Sequence, residues 1–198
     1  KTDYAHAYHG RAYTLMKSLK LEEAVNNWNK AIKINPNFVD AYSERGHVLV
    51  VLNRLNEALE SYNNAFILNP DSKFLFGNLI HTKFKICSWK SVTGDLEELK
   101  NKILKSEKSS PPFPTLTFFD SPLLQKMSAE IWTKENFSKK SIIKKIPKRE
   151  SEKKIRIGYY SEDFHNHAVG LLIAHVLELH DKSKFEIFGF YFGDIVAD

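Results

Sequence analysis

A stretch of thirty residues occurs twice in this chain, 34 positions apart, and that recurrence limits the fold more than any other feature. Ala7-Tyr8 returns as Ala41-Tyr42, Arg11 as Arg45 and Leu15 as Leu49. Lys20-Leu21 returns as Arg54-Leu55, Glu23-Ala24 as Glu57-Ala58, Trp28 as Tyr62, Ala31 as Ala65, and Asn35-Pro36 as Asn69-Pro70. A unit of this size cannot bury its own apolar face, so it must stack on a neighbour.

The residue types say what the unit is. Ala24 and Ala58 are small where one helix must approach another closely, and Gly46 and Ala12 do the same on the opposing helix. Tyr8, Leu15 and Trp28, with Tyr42, Leu49 and Tyr62, fill the space between the helices. Pro36 and Pro70 end the second helix, because proline lacks the donor and clashes with the preceding turn. Helical hairpins with a period of 34, aromatics at fixed places and a closing proline carry the tetratricopeptide signature.

A worn third unit follows. Asp71 or Ser72 is placed to cap a helix through Phe74, Phe76, Leu79, Ile80 and Phe84. Trp89 falls near a turn, and Thr93-Gly94-Asp95 leads into an amphipathic helix over Leu96 to Leu104. Val92 occupies the small-residue slot, so the template fails there. Ser109-Ser110-Pro111-Pro112-Phe113-Pro114 breaks the helical pattern. Asp120-Ser121-Pro122 then reads as a helix start, with Leu124, Met127 and Ile131 buried on one face as far as Lys134.

Beyond this the pattern changes class. Ile155 to Tyr160 reads as a buried strand, Ala168 to Leu179 as a helix and Phe185 to Phe192 as a second strand. A crossover of this kind makes the strands parallel. Between the first strand and the helix lies Ser161-Glu162-Asp163-Phe164-His165-Asn166-His167, a polar loop at the carboxyl end of a strand. That is where α/β proteins place ligand chemistry. The organisation expected is repeats over 1–108, a linker region with one helix and a basic segment over 109–153, and the start of an α/β lobe over 154–198. The chain reads as a fragment of a longer protein.

Charge excludes less than its total suggests. Ser138 to Lys154 holds seven Lys and one Arg against two Glu, more than the whole net charge of +5, so the remainder is about neutral. No aromatic residues interleave with this basic run to stack on bases, so no nucleic-acid partner is expected. No apolar run approaches the roughly 20 residues that cross a bilayer, and no membrane partner is expected. Cys87 stands alone, and a reducing cytoplasm is its simplest home.

Taken together, the repeats, Lys154-Ile155-Arg156-Ile157-Gly158-Tyr159, the run Ser161 to Gly170, Glu178-Leu179-His180-Asp181 and Phe185-Glu186-Ile187-Phe188-Gly189 resemble the O-linked N-acetylglucosamine transferase family, glycosyltransferase family 41, in its bacterial SPINDLY-like form. The resemblance implies α plus α/β architecture, with tetratricopeptide repeats leading into the first β–α–β of a GT-B (Rossmann-like) lobe. It implies transfer of N-acetylglucosamine or a related sugar from a UDP-sugar to Ser or Thr hydroxyls of proteins that the repeats help to bind. The donor is a substrate, so no cofactor is implied, and the family works without a metal ion. The donor-binding lobe is expected beyond Asp198, which would leave this piece inactive alone.

Residue by residue, His167 matches the family histidine tied to activity, and Asp163, Phe164 and Asn166 match the motif around it. His167 is the candidate catalytic residue, as a base or as an orienter of the reacting sugar or acceptor. An imidazole suits contact with hydroxyls near neutral pH. Asp163 is a candidate helix cap, loop brace or substrate contact, Phe164 a packing anchor and candidate substrate contact, and Asn166 and Asn78 candidate substrate contacts. Ala168 stands where the family often has Pro. Asn at the sixth position of each repeat grips acceptor backbone in animal members. Here Gly10 and Glu44 hold those places, and only Asn78 keeps the amide. The alternative from another class is a repeat scaffold for protein interactions with a catalytically silent α/β domain.

Overall fold

The computed structural model describes residues 2–137 and 154–193. The chain divides into two units, Lys1–Lys140 and Ser141–Asp198. The basic run beginning at Ser138 lies outside the described residues except for Lys154.

Two helical hairpins open the first unit: α1 (Thr2–Lys17) with α2 (Leu21–Ile34), and α3 (Val39–Val51) with α4 (Leu55–Leu68). The small residues sit where the period demands them. Ala12, Ala24, Ala31, Ala58 and Ala65 are fully buried. A Cβ on Gly46 would stand 2.7 Å from the Tyr62 ring, so the glycine admits that ring to the hairpin. Trp28, Leu49 and Tyr62 are buried, while Tyr8, Leu15 and Tyr42 are half-buried against them. Burying one side chain of this kind stabilises by about 1.5–3 kcal/mol. The second helices end at Ile34 and Leu68, before Pro36 and Pro70.

Polar contacts tie the hairpins together. Arg45 donates through Nε to Ser61 Oγ at 3.0 Å and through a terminal nitrogen to Asn29 Oδ1 at 2.7 Å. It thereby joins α3 to α4 and α2. Arg54 bridges Glu22 at 2.8 Å and Glu57 at 2.7 Å.

The third unit keeps the turn and alters the helices. Leu19, Asn53 and Cys87 recur at the 34-residue period, and all three have φ between 55° and 58°. After each, the next residue's N–H reaches back to a carbonyl five residues earlier: Lys20 to Leu15, Arg54 to Leu49 and Ser88 to Lys83. This left-handed helix ending satisfies the last carbonyls. The helix after the third turn, α6 (Val92–Leu104), starts three residues later than the period set by Leu21 and Leu55 requires. Val92 is therefore the first residue of its helix and not an occupant of the crossing slot, and α6 begins four residues before Leu96. The extra residues carry Trp89, which is exposed and lies edge-on to Phe84 at 5.1 Å.

Helix α5 (Leu75–Lys85) corrects a second expectation. Neither Asp71 nor Ser72 caps it. Phe74 is the cap residue, with φ 60° and no side-chain cap bond. The free donors of a helix start must find acceptors, and here they come from a distant strap. Phe74 N–H donates to the Lys108 carbonyl at 2.5 Å and Gly77 N–H to the Ser109 carbonyl at 2.8 Å.

The proline-rich stretch after that strap is helical where a break is expected. Helix α7 (Pro112–Phe118) takes Pro112 and Pro114 into its first turn, where no intrahelical donor is needed. Helix α8 (Pro122–Asn136) starts as expected, with Ser121 Oγ accepting from Leu124 N–H. Its buried face is Leu124 and Ser128, with Met127 and Ile131 half-buried. Ser110, Thr115 and Ser128 form a buried hydroxyl cluster: Thr115 Oγ1 lies 3.0 Å from both other hydroxyls, and Ser128 Oγ donates to the Ser110 carbonyl at 3.0 Å.

The second unit is a parallel β–α–β: β1 (Ile155–Ser161), α9 (Ala168–Glu178) and β2 (Phe185–Tyr191). Ile155 pairs with Phe185 and the register runs to Ser161 with Tyr191. Arg156 and Glu186, paired by that register, form an ion pair at 2.8 Å. Tyr160 and Phe190 stack at 4.5 Å on the same face.

Candidate functional site

The loop between β1 and α9 is built by short-range bonds. Asp163 N–H donates to Ser161 Oγ at 3.0 Å, and His167 N–H donates to the His165 carbonyl at 2.7 Å. The loop lies tight against the first turn of α9. A Cβ on Gly170 would stand 2.5 Å from the His165 carbonyl oxygen and 2.8 Å from that of Asp163. Only a glycine admits both carbonyls.

His167 is the N-cap of α9. Its backbone is extended (φ −135°, ψ 153°), and its Nδ1 accepts from Val169 N–H at 3.3 Å. The cap assigned as one reading of Asp163 therefore belongs to His167. Asp163 stays beside it, with Oδ1 3.6 Å from His167 Nδ1. Ala168 is the first helical residue, a place where proline would also fit.

The other residues of the run separate by role. Phe164 is half-buried, and its ring lies 3.8 Å from where a Gly189 Cβ would be, so it rests on β2. Phe164, His165, Asn166, Gly170, Ile173 and Leu177 line an open groove of about 490 Å³ along α9. Asn166 and His167 are exposed. His165 stands between rings, 5.6 Å from His167 and 6.3 Å from Tyr191. Tyr191, from the end of β2, joins the loop through the fold, and the sequence offered no signal for it. At the far end of α9, His180 Nδ1 lies 2.7 Å from the Val176 carbonyl, and its Nε2 lies 2.9 Å from the Tyr159 hydroxyl.

Asn78 belongs to a different surface, in the first unit. Its Nδ2 lies 2.9 Å from His47 Nε2, so its amide is already engaged across two repeats. His47 in turn stands 3.7 Å from Glu44 and holds that carboxyl below its ordinary range. A cavity of about 730 Å³ opens here between α3, α5 and α8, lined by Asp40, Glu44, His47, Lys73, Asn78 and Trp132 among others. Among the described residues, no group of three or more His, Cys, Asp or Glu is placed to hold a metal ion. None of the described helices is long and apolar enough to cross a membrane.

Comparison with known families bears on both surfaces. The tetratricopeptide repeat model matches residues 10–52, and the model of glycosyl transferase family 41 matches residues 124–194. Along the chain, a segment similar to tetratricopeptide repeats is followed by one similar to family 41. The family 41 match begins at Leu124, a buried residue of α8 in the first unit, and runs through the loop that carries His167.

Among solved structures, the chain is similar to yeast Tom70, with a TM-score of 0.48 and 16% identity over 67% of this chain. It spans 24% of that chain. It is also similar to the first tetratricopeptide domain of Spaghetti bound to an HSP90 peptide (TM-score 0.47, 14% identity, 67% of this chain and 94% of that one). A third is the TPR2B domain of yeast Sti1 in its complex with pHsp70 (TM-score 0.48, 15% identity, 66% of this chain and 97% of that one). No curated protein sequence matches the chain.

Proposed function

We propose that this chain is part of a protein O-glycosyltransferase that moves N-acetylglucosamine, or a related sugar, from a UDP-sugar to Ser or Thr hydroxyls. The observation that carries the reading is the family 41 match over 124–194, which contains the strand, the loop and the helix capped by His167. The transfer breaks the bond from the anomeric carbon to the diphosphate oxygen and forms one to the acceptor oxygen. The hydroxyl proton leaves to a base, and UDP departs.

The geometry supports this reading in two further ways. Unit two leaves Leu171, Leu172 and Val176 exposed on α9 and Tyr160 and Phe190 on the sheet. A helix that leaves this much apolar surface uncovered is ordinarily an inner element of a larger core, as β–α–β units are in a GT-B lobe. In unit one, the cavity beside Asn78 presents carboxylates, an amide and the Trp132 ring, groups that suit an extended peptide. We assign the acceptor protein to that surface. We place the reaction in the cytoplasm, where the exposed Cys87 thiol stays reduced.

The test is a transfer assay on the full-length protein with labelled UDP-N-acetylglucosamine, a mixed cell-extract acceptor and a His167→Ala control. Label transfer that the control loses establishes the enzyme. No transfer and no UDP release would leave the repeat scaffold with a silent α/β domain as the better account.

A further inference from the structure

We infer that the outer face of α1, with the turn that follows it, is a docking surface for one further helical hairpin of the 34-residue class. That hairpin presents a carboxylate and, two helical turns later, an amide or a second carboxylate. Tyr4, Arg11 and Lys20 are the residues that receive it.

These three stand 34 positions before Phe38, Arg45 and Arg54. Each of the later three reaches back to the hairpin before its own. Phe38 is buried, with its ring 4.8 Å from that of His6 and 4.9 Å from that of His9, both on α1. Arg45 donates to Asn29 Oδ1 on α2 at 2.7 Å, and Arg54 donates to Glu22 on α2 at 2.8 Å. Glu22 and Asn29 are about two turns apart and so share one face of α2. The earlier three have no such neighbour. Tyr4 is 70% exposed where Phe38 is 8% exposed. Arg11 and Lys20 are exposed, and among the described residues neither side chain has a hydrogen-bond or ion-pair partner.

A separate observation lies inside the first hairpin. Asn27 is 7% exposed, yet its Oδ1 has no hydrogen-bond partner among the described residues. A buried acceptor left unpaired costs free energy. The residue at the same place in the second hairpin is Ser61, whose hydroxyl accepts from Arg45 Nε at 3.0 Å while another nitrogen of that guanidinium holds Asn29. Arg45 is thus a bolt fixed at both ends. Arg11 is the donor at the matching place for Asn27, and it lacks the second acceptor that would hold its guanidinium there.

One occupant completes all of these contacts. Stacked repeats touch only their neighbours, so the face that an outer hairpin shows is the one that its next neighbour covers. A hairpin in the same register lays the rings of its first helix on Tyr4. Its second helix brings a carboxylate to Lys20 and a side-chain oxygen to Arg11, and the anchored Arg11 satisfies Asn27. A second copy of this chain fits less well, because a two-fold contact through this face sets the same cations against each other.

The experiment compares the chain with one extended by a second copy of residues 3–36, set directly before Asp3 in place of Lys1 and Thr2. The copy places its own Glu22 and Asn29 where Lys20 and Arg11 can reach them. Arg11→Ala should leave the urea midpoint of the unextended chain unchanged. In the extended chain it should lower the midpoint as Arg45→Ala does in the unextended one. Arg11→Ala and removal of the amide from the copy's Asn29 should be non-additive, since both delete one contact. Amide exchange along α1 should slow on extension. Equal effects of Arg11→Ala in the two chains would overturn the inference. So would unchanged exchange along α1, which is also what a copy that fails to fold or dock would give. Sedimentation of the unextended chain should show a monomer; a dimer that Tyr4→Ala dissolves would mean that this face pairs with itself and would overturn the assignment to a hairpin.

Discussion

Gly77 has no side chain because Ser110 stands where one would go: an added Cβ would lie 2.5 Å from Ser110 Cβ and 2.7 Å from its Cα. The same glycine donates its N–H to the Ser109 carbonyl at 2.8 Å. Its neighbour cannot yield, since Ser110 is 2% exposed and bound into the cluster with Thr115 and Ser128. Gly77→Ala should therefore cost about 1–3 kcal/mol or more in urea unfolding. Gly94, on α6, has nothing within 4 Å of its added Cβ. Gly94→Ala should stabilise by about 1 kcal/mol through helix propensity alone. Equal effects of the two substitutions would show that the strap is loose.

Leu19 offers a gain of a different kind. It is 83% exposed and has φ 58°, so it makes little packing and sits in left-handed backbone. That conformation costs a side-chain-bearing residue about 1–2 kcal/mol. Leu19→Gly should raise stability by about 0.5–1 kcal/mol, after the greater chain entropy of glycine is offset. Leu19→Val, β-branched at the same φ, should lower it. Denaturant midpoints of the two variants, compared with the native chain, check the sign of each.

The sequence made the first two hairpins legible because their packing depends on residue size, and size recurs at 34. Ala24, Ala58, Gly46, Trp28 and Tyr62 all stand where that periodicity places them. The third unit was less legible because the element it shares with the first two is a backbone shape. Leu19, Asn53 and Cys87 share one left-handed turn but no side-chain chemistry, and none is glycine. The start of α5 was missed for a related reason: its acceptors are the carbonyls of Lys108 and Ser109, more than thirty residues away, which no local capping pattern reveals. Around His167, the strand–loop–helix order was readable. That His167, and not Asp163, caps α9 was not, since histidine is an uncommon cap and only geometry distinguishes the two.

Glu135 gives the first unit an acid-sensitive joint. Its carboxylate meets Lys108 at 2.6 Å and Lys73 at 2.5 Å, so α8 is pinned to both the strap and the start of α5. Hydrogen bonds first from Lys108 and then from Lys73 hold its pKa at about 2, below the ordinary 4.5. A depressed folded value means that the charged form is favoured by folding. The contribution is full above about 4.5 and is lost as pH falls toward about 2. Glu135→Gln should therefore be less stable than the native chain at neutral pH, with the gap closing as the solution is acidified through that window. Thermal midpoints measured across it check the prediction; a gap independent of pH would mean that the carboxylate charge is not what holds α8.

Gly170 lets the geometry of the loop be tested without touching His167. The carbonyl oxygens of His165 and Asp163 occupy the space of its missing Cβ, at 2.5 and 2.8 Å. An alanine there must push the loop away from the first turn of α9. Because His167 is both the last loop residue and the helix cap, its ring moves with that displacement. A misplacement of about 1 Å at a reacting group can cost on the order of 100-fold in rate. On the glycosyltransferase reading, Gly170→Ala in the full-length protein should thus cut sugar transfer by about that factor. The repeats belong to the other unit, and their unfolding should not change. Gly94→Ala, on α6 with nothing within 4 Å of the added Cβ, is the matched control and should leave transfer as it was. Native transfer by Gly170→Ala would show that the loop's hold on α9 is irrelevant to the chemistry, and that His167 does not need the position the cap gives it.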